Sequence, residues 1–556
     1  MAPSRFDRRA LLGAAAVGAL AIGADAADSS PAAAGGKNAS ARAGSVAPRA
    51  DRRRRGTFET GPLPYPGQPA GTDQIPEIEH FVVVMMENHS FDNILGMLGR
   101  GDCWPLGMDG RPTIALPDGH GNLVRAFHMP SECQTDGVGQ NWNLAHHALV
   151  NGNRGFVEAS TGESLGYFRG SDLPFTWDMA RTFPIADRWF ASLLGQTDPQ
   201  RRFLFAGTSL GQISDQLNLD APPNGTIFDQ FNRYGITWKN YFSSLPSIGV
   251  WLPLLSEPSM TKNITNISHF YADAAAGLLP QFSLVDPDFG RSSQENPQDI
   301  QFGDQFLAGV VNAVMSGPQW SKTMLIWTYD EWGGWYDHVI PPAAVPPDRV
   351  QPQLSPNQVP GRFDQYGFRV PAGVVSPYAK RRFVSHTVYD HTSVLKTVER
   401  KWNLPALTRR DANANDLFEM VDLQAAPAFA TPPKLEAPAN PALSAGCLVT
   451  GPGTIPPRRA VHVGAVPNTP NITPSTLPAG VVGRPYSATL TASQIGRRAR
   501  WIVVSGDLPT GLVLDHRTGT ITGMPATAGS RGATIGVSQG GGPMGTRAYE
   551  VVVTGP

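Results

Sequence analysis

The chain has 556 residues, 41% of them hydrophobic, which exceeds one ordinary domain and implies two or three folded units. With 45 Lys and Arg against 46 Asp and Glu it is nearly neutral, which excludes bulk electrostatic attraction to nucleic acid or to an anionic membrane as its mode of action. Its 59 Gly and 51 Pro remain below the share typical of a low-complexity protein, so the chain reads as globular and loop-rich.

At the N-terminus, Arg8-Arg9 precedes an Ala/Gly-rich apolar run ending at Gly23, and Ala24-Asp25-Ala26 offers a small-x-small cleavage pattern. Residues 1–26 are therefore expected to be a twin-arginine export signal, with a periplasmic, cell-surface or secreted destination. The apolar run is shorter than the roughly 20 residues a membrane span requires. Residues 27–72, including the basic run Arg52 to Arg55, have no apolar period and are expected as a disordered lead-in. The three cysteines lack the short paired spacing of a zinc site; in an oxidising destination Cys103 and Cys133 are expected to bridge, leaving Cys447 unpaired or buried.

Residues 73–446 alternate buried-strand and helical signals. Phe81 to Met86 and Met324 to Trp327 are continuous apolar runs, and Val370 to Val375 is a weaker third. Strands apolar on both faces suit a mostly parallel sheet covered by helices, here predicted at Asp304 to Met315 and at His391 to Trp402, with Asp390 or Thr392 as its cap. The fold class is thus an α/β sandwich.

The chemistry sits where these strands stop. The first runs into Glu87-Asn88-His89-Ser90-Phe91-Asp92 and the second into Tyr329-Asp330-Glu331-Trp332-Gly333-Gly334-Trp335-Tyr336-Asp337-His338. Ligands of open α/β sheets bind beyond the carboxyl ends of strands, so the hard oxygen donors Glu87, Asn88, Asp330 and Glu331 are candidate ligands of one divalent metal ion. Between them, Gly195-Gln196-Thr197-Asp198-Pro199-Gln200-Arg201 reads as a helix start with Asp198 as N-cap and Pro199 in the first turn. Thr197 would then lie at a helix N-terminus, where free N–H groups and the dipole favour a phosphate, making its hydroxyl a candidate nucleophile. Taken alone, Thr-Asp-Pro is more often a capping device.

Beyond a Pro-rich linker, residues 447–471, the texture changes to short strand signals at Tyr486 to Ala492, Trp501 to Val504, Gly519 to Gly523 and Tyr549 to Val553. Residues 472–556 are expected as a β-sandwich. Leu508-Pro509-Thr510-Gly511-Leu512 and Gly519-Thr520-Ile521-Thr522-Gly523 resemble the immunoglobulin-like modules of bacterial surface proteins.

The Glu-Asn-His-Ser-Phe-Asp strand end, the Thr-x-Pro-x-Arg element, the Tyr-Asp-Glu-x-Gly-Gly-x-Tyr-Asp-His block and Tyr389-Asp390-His391-Thr392-Ser393 together resemble the bacterial phosphatidylcholine-type phospholipase C and acid phosphatase family, of the alkaline-phosphatase-like superfamily. The resemblance spans about Ile78 to Leu417. It implies a single divalent metal held by Glu87, Asn88, Thr197, Asp330 and Glu331, and a covalent phosphothreonine at Thr197. It also marks departures. Positions that commonly carry histidine hold Gln140, Asn296 and Trp332, while His146 follows Trp142 in a Trp-x-x-x-His element. His146 and His338 are the remaining candidates for proton transfer, and Gln140, Asn296 and His391 for substrate contact. The implied function is hydrolysis of phospholipid-type phosphodiesters, with transient contact to a membrane surface. A broad acid phosphomonoesterase and a catalytically weakened surface-binding protein are the alternatives.

Overall fold

The computed structural model describes residues 61–119, 122–134, 138–216, 219–439, 461–462, 470–493, 495–496, 499–538 and 545–555. The expected export signal, residues 27–60 of the lead-in, Cys447 and most of the linker lie outside these. Strands β1 (His80–Met86), β2 (Ile185–Ala186), β3 (Trp238–Phe242), β4 (Ile264–Asn266), β5 (Phe282–Asp286), β6 (Thr323–Tyr329), β7 (Ala372–Val375) and β8 (Val384–Ser385) form one sheet in the order β8-β2-β7-β6-β1-β5-β3-β4. All pairings are parallel except the two made by β7. Phe81 to Met86 and Met324 to Tyr329 are fully buried, which is why these runs carry no alternation. Burial of such a Val, Ile or Met side chain contributes about 1.5–3 kcal/mol.

Helices α1 (Trp142–Ala148), α2 (Pro174–Thr182), α3 (Thr197–Ala206), α4 (Ile300–Ser316) and α5 (Thr392–Trp402) are among those packed around the sheet. Helix α4 begins earlier than its apolar period suggests because the Asp299 side chain caps the Gln301 N–H. No helix among the described residues is long and apolar enough to cross a membrane.

Two expectations are corrected. Residues 61–72 are not a loose lead-in: Gly61 N–H donates to Ala406 O, Gly71 N–H to Trp402 O, and Tyr65 N–H to the Asn403 side chain. The Gly71 bond uses a carbonyl left open at the end of α5. Cys103 is a free thiol whereas Cys133 is disulfide-bonded, so the expected bridge between them is absent and the partner of Cys133 lies outside the described residues.

The C-terminal region is all-β. Strands Gly480–Val481, Gly545–Thr554, Gly529–Ser538 and Arg500–Gly506 form one sheet, and Tyr486–Thr489, Thr520–Gly523 and Leu512–Leu514 a second, around a core that includes Trp501, Leu514, Ile521, Ile535 and Val551.

Candidate active site

Register assembles the site. β1 and β6 pair from His80 with Thr323 to Met86 with Tyr329, so both strands end at the same level and deliver Glu87-Asn88 beside Asp330-Glu331. Asp330 N–H donates to Met86 O, and Asn88 N–H donates to Asp330 Oδ1 at 3.1 Å. The two turns touch so closely that a Cβ on Gly333 would lie 1.9 Å from Asn88 O, and Gly333 has φ of 66°; only glycine fits. Asn88 itself adopts φ of 66°, a conformation asparagine tolerates.

Around Asn88 the groups are nearly all acceptors. Its side-chain oxygen lies 3.2 Å from both Asp330 Oδ1 and Glu331 Oε1 and accepts from Thr197 Oγ1 at 3.4 Å. Turning the amide over would offer its NH2 to the carboxylates; a hard cation would hold it as it stands. Asp330 Oδ2 has no hydrogen-bond partner, and the cationic group beside the cluster is Arg201, 3.4 Å from Asp330 and 3.6 Å from Glu87. Burial pushes the Asp330 and Glu331 carboxyls well above the ordinary carboxylate range; Arg201 pulls Asp330 back, while Glu87 opposes it. Carboxylate, amide and hydroxyl oxygens in this number suit a divalent cation, so the residues present fit the expected metal.

Thr197, Glu87 and Arg201 line a cavity of about 80 Å³ together with Asp198, Asp215, Phe289 and Glu295. Thr197 is the first residue of α3, but the helix start differs from the expected one. Gln196 is the N-cap, the Asp198 N–H donates to Asp215 Oδ1 at 2.8 Å, and Pro199 has no N–H to offer. Two of the first three backbone donors are therefore closed to a phosphate. Arg201, one turn on, compensates: its Nε and Nη1 are buried without protein partners.

Asn88 links Thr197, Asp330 and Glu331, and Arg201 links Asp330 to Glu87; the histidines do not join them. His338 Nδ1 contacts Asp92 Oδ2 at 2.7 Å and Nε2 contacts Asp102 at 3.2 Å, in a buried network completed by Arg369 with Asp92 at 3.0 Å and Asp337 at 2.8 Å. Burial disfavours its charge, but Asp92 and then Asp337 outweigh burial and hold it protonated, up to about 9. Asp92, Asp337 and His338 bring ligand atoms within 4.8 Å of one another, yet the Arg369 guanidinium already serves both carboxylates, so this cluster does not suit a metal. His146 turns back onto its own helix, Nδ1 against Trp142 O at 2.8 Å, and burial lowers it to about 4. Neither His146 nor His338 lines the cavity that Thr197 lines.

His391 is a brace. Its Nε2 lies 2.6 Å from Asp330 O, Trp189 Nε1 donates to its Nδ1 at 3.4 Å, and burial holds it neutral, near 3. Fully buried and engaged at both nitrogens, it has no atom left for substrate. Trp332 is likewise core, edge-on to Phe368. Gln140 does reach the site, its side chain 3.2 Å from the Asn88 amide. Asn296 has both side-chain polar atoms buried without partners, next to Glu295 of the cavity wall. Asp215 and Arg201 on the cavity wall were missed: Asp215 sits in a loop with no motif, whereas Arg201 is in the Thr-x-Pro-x-Arg element, and its spacing of one helical turn from Thr197 was the available signal.

An α/β sandwich that presents a hydroxyl to a cluster of carboxylate and amide oxygens at the carboxyl end of its sheet has the form of a hydrolase. Residues 78–405 match the Phosphoesterase family model, and the chain belongs to that family and hydrolyses phosphoester bonds. Residues 468–554 match an Ig domain model. Similar curated proteins include non-specific phospholipase C1 of Arabidopsis thaliana, 30% identical over 64% of this chain and 73% of that protein, and phospholipase C B of Mycobacterium tuberculosis, 27% identical over 68% and 82%. Non-hemolytic phospholipase C of Pseudomonas aeruginosa is 30% identical over 59% of this chain, which spans about half, 54%, of that protein. A solved structure of an alkaline phosphatase superfamily protein from Vibrio parahaemolyticus covers 66% of this chain and 73% of its own at 10% identity; its TM-score of 0.34 carries no argument.

Proposed function

We propose that this protein is an exported phospholipase C-type phosphodiesterase with Thr197 as nucleophile and a divalent cation held by Glu87, Asn88, Thr197, Asp330 and Glu331. The observation that carries the reading is the concentration of acceptor oxygens around Asn88 within reach of the Thr197 hydroxyl. A divalent cation bound there would lower the pKa of that hydroxyl and polarise a phosphoryl oxygen. Arg201 directs its two unpartnered donors to the phosphate, and the Asn296 amide offers a further donor and acceptor.

Thr197 Oγ attacks phosphorus, forming the Thr–O–P bond as the bond to the diacylglycerol oxygen breaks. That alkoxide takes a proton, and water then hydrolyses the phosphothreonine to free the phosphorylated headgroup. With no histidine on the cavity wall, Asp215 is the group suited to hold the proton: burial, Asp198 and the neighbouring carboxylates Asp330 and Glu87 push its carboxyl far above the ordinary range. Names of the relatives support a phospholipid diester as substrate.

The test is product analysis. Full-length protein given phosphatidylcholine vesicles is expected to release diacylglycerol, with Thr197→Ala inactive and Thr197→Ser partly active. Turnover of phosphomonoesters alone would refute the diester assignment.

A further inference from the structure

Strand Arg500–Gly506 of the C-terminal module carries an apolar run without alternation, Trp501-Ile502-Val503-Val504. Successive side chains of a strand leave on opposite faces, so one sheet face cannot bury all four. Trp501 and Val503 enter the module's own core, whereas Ile502 and Val504 are buried in the core of the catalytic unit. Standing free, the module would expose that pair to water.

Polar contacts fix the same junction. Asn143 of α1 donates from Nδ2 to Val503 O at 2.8 Å and to Asn357 O at 3.1 Å, and its Oδ1 accepts from Val359 N–H at 2.8 Å. The Asn357 side chain in turn accepts from Leu514 N–H of the module at 2.9 Å. Both amide donors and the oxygen of Asn143 are engaged, in a buried polar knot that would lose the Val503 acceptor if the module left.

The helix so gripped leads to the catalytic centre. Trp142 packs with Phe203 of α3, the helix that begins at Thr197, in a small separate core with Leu193 and Phe363. Gln140, two residues before α1, touches Asn88. We propose that the C-terminal module is a docked positioning element of the active site, acting through Asn143 and α1 on Gln140 and on the helix that presents Thr197. The functional half of this inference rests on the reading of Thr197 as the reacting group; the docking half does not.

The experiment compares full-length wild type with Ile502→Ser/Val504→Ser and with Asn143→Asp, which lies on the catalytic side and spares the module's own core. Amide hydrogen exchange is read across residues 139–148, and kcat and KM on a soluble aryl phosphodiester. Both variants are expected to raise exchange in α1 and to lower kcat by about ten- to a hundredfold, the scale of a 1 Å misplacement, with little change in KM. Val552→Ser, at an exposed position of the module, is expected to match wild type. Unchanged exchange in α1 would overturn the docking, and raised exchange with unchanged kcat would overturn the positioning. A wild-type protein inactive on phosphodiesters would refute the Thr197 reading, with exchange still deciding the docking.

Discussion

The same two strand ends build two acidic clusters of opposite character. One, around Glu87, Asp330 and Glu331, gathers three carboxylates beside the guanidinium of Arg201. The other, a few residues on at Asp92 and Asp337, is closed by buried Arg369 and by His338 held protonated between the carboxylates. Its carboxylates are each paired with the Arg369 guanidinium, whereas Asp330 and Glu331 of the first take backbone amides and are pushed up by burial and by their acidic neighbours. Charge balance, rather than the number of ligand-type side chains, separates a centre prepared for a cation from a structural lock. Spacing taken alone points instead to Asp92, Asp337 and His338, whose ligand atoms lie within 4.8 Å of one another.

The contrast is broken most severely at Thr197. Thr197→Ala should lower kcat by roughly 10³-fold or more while shifting the thermal midpoint little, because it removes one hydroxyl that the fold does not need. The balanced cluster should respond in the opposite way: Arg369→Leu takes the paired guanidinium from buried Asp337 and leaves Asp92 with His338 alone, and should cost about 3–5 kcal/mol, read as a lower denaturation midpoint.

Cation addition sharpens the difference. At a hundred times its Kd a divalent ion should stabilise wild type by about 2.7 kcal/mol, and Asp330→Asn should lose most of this while Asp92→Asn keeps the shift relative to its own lower baseline. A smaller effect is expected from pH. His338 is raised in the fold from 6.5 to about 9, so its contribution to stability is complete below about pH 6.5 and is lost as pH rises through 9. Unfolding midpoints measured from pH 6 to 10 should therefore fall less steeply in His338→Gln than in wild type.

Much of this was legible in the sequence because buried parallel strands announce themselves as unbroken apolar runs, and polar residues that end them abruptly have few places to go. Glu87, Asn88, Asp330 and Glu331 were singled out that way. That Asp92, Asp337 and His338 form a charge-balanced network was not legible, because Arg369, which pairs both carboxylates, is brought beside them only by the return of the chain into β7, a short run with a weak signal. Asp198 was taken for a cap because local pattern cannot reveal that Asp215, from another loop, takes the Asp198 N–H. The module strand Gly529–Ser538 was missed for a related reason: its Gly- and Ser-rich sequence has little β propensity and is held by pairing with Arg500–Gly506 on one side and Gly545–Thr554 on the other. The unalternating run at Trp501 to Val504 was seen as a strand, but its lack of alternation, the trace of a second buried face, was not used.

The central claim, that the unbalanced cluster at Thr197 is the reacting centre, is tested most directly by acid quenching during turnover of a phosphodiester, followed by mass spectrometry of the digested protein. The account predicts a phosphoryl adduct on the peptide containing Thr197, absent in Thr197→Ala and in Asp330→Asn. An adduct on another residue, or rapid turnover by Thr197→Ala, would contradict it.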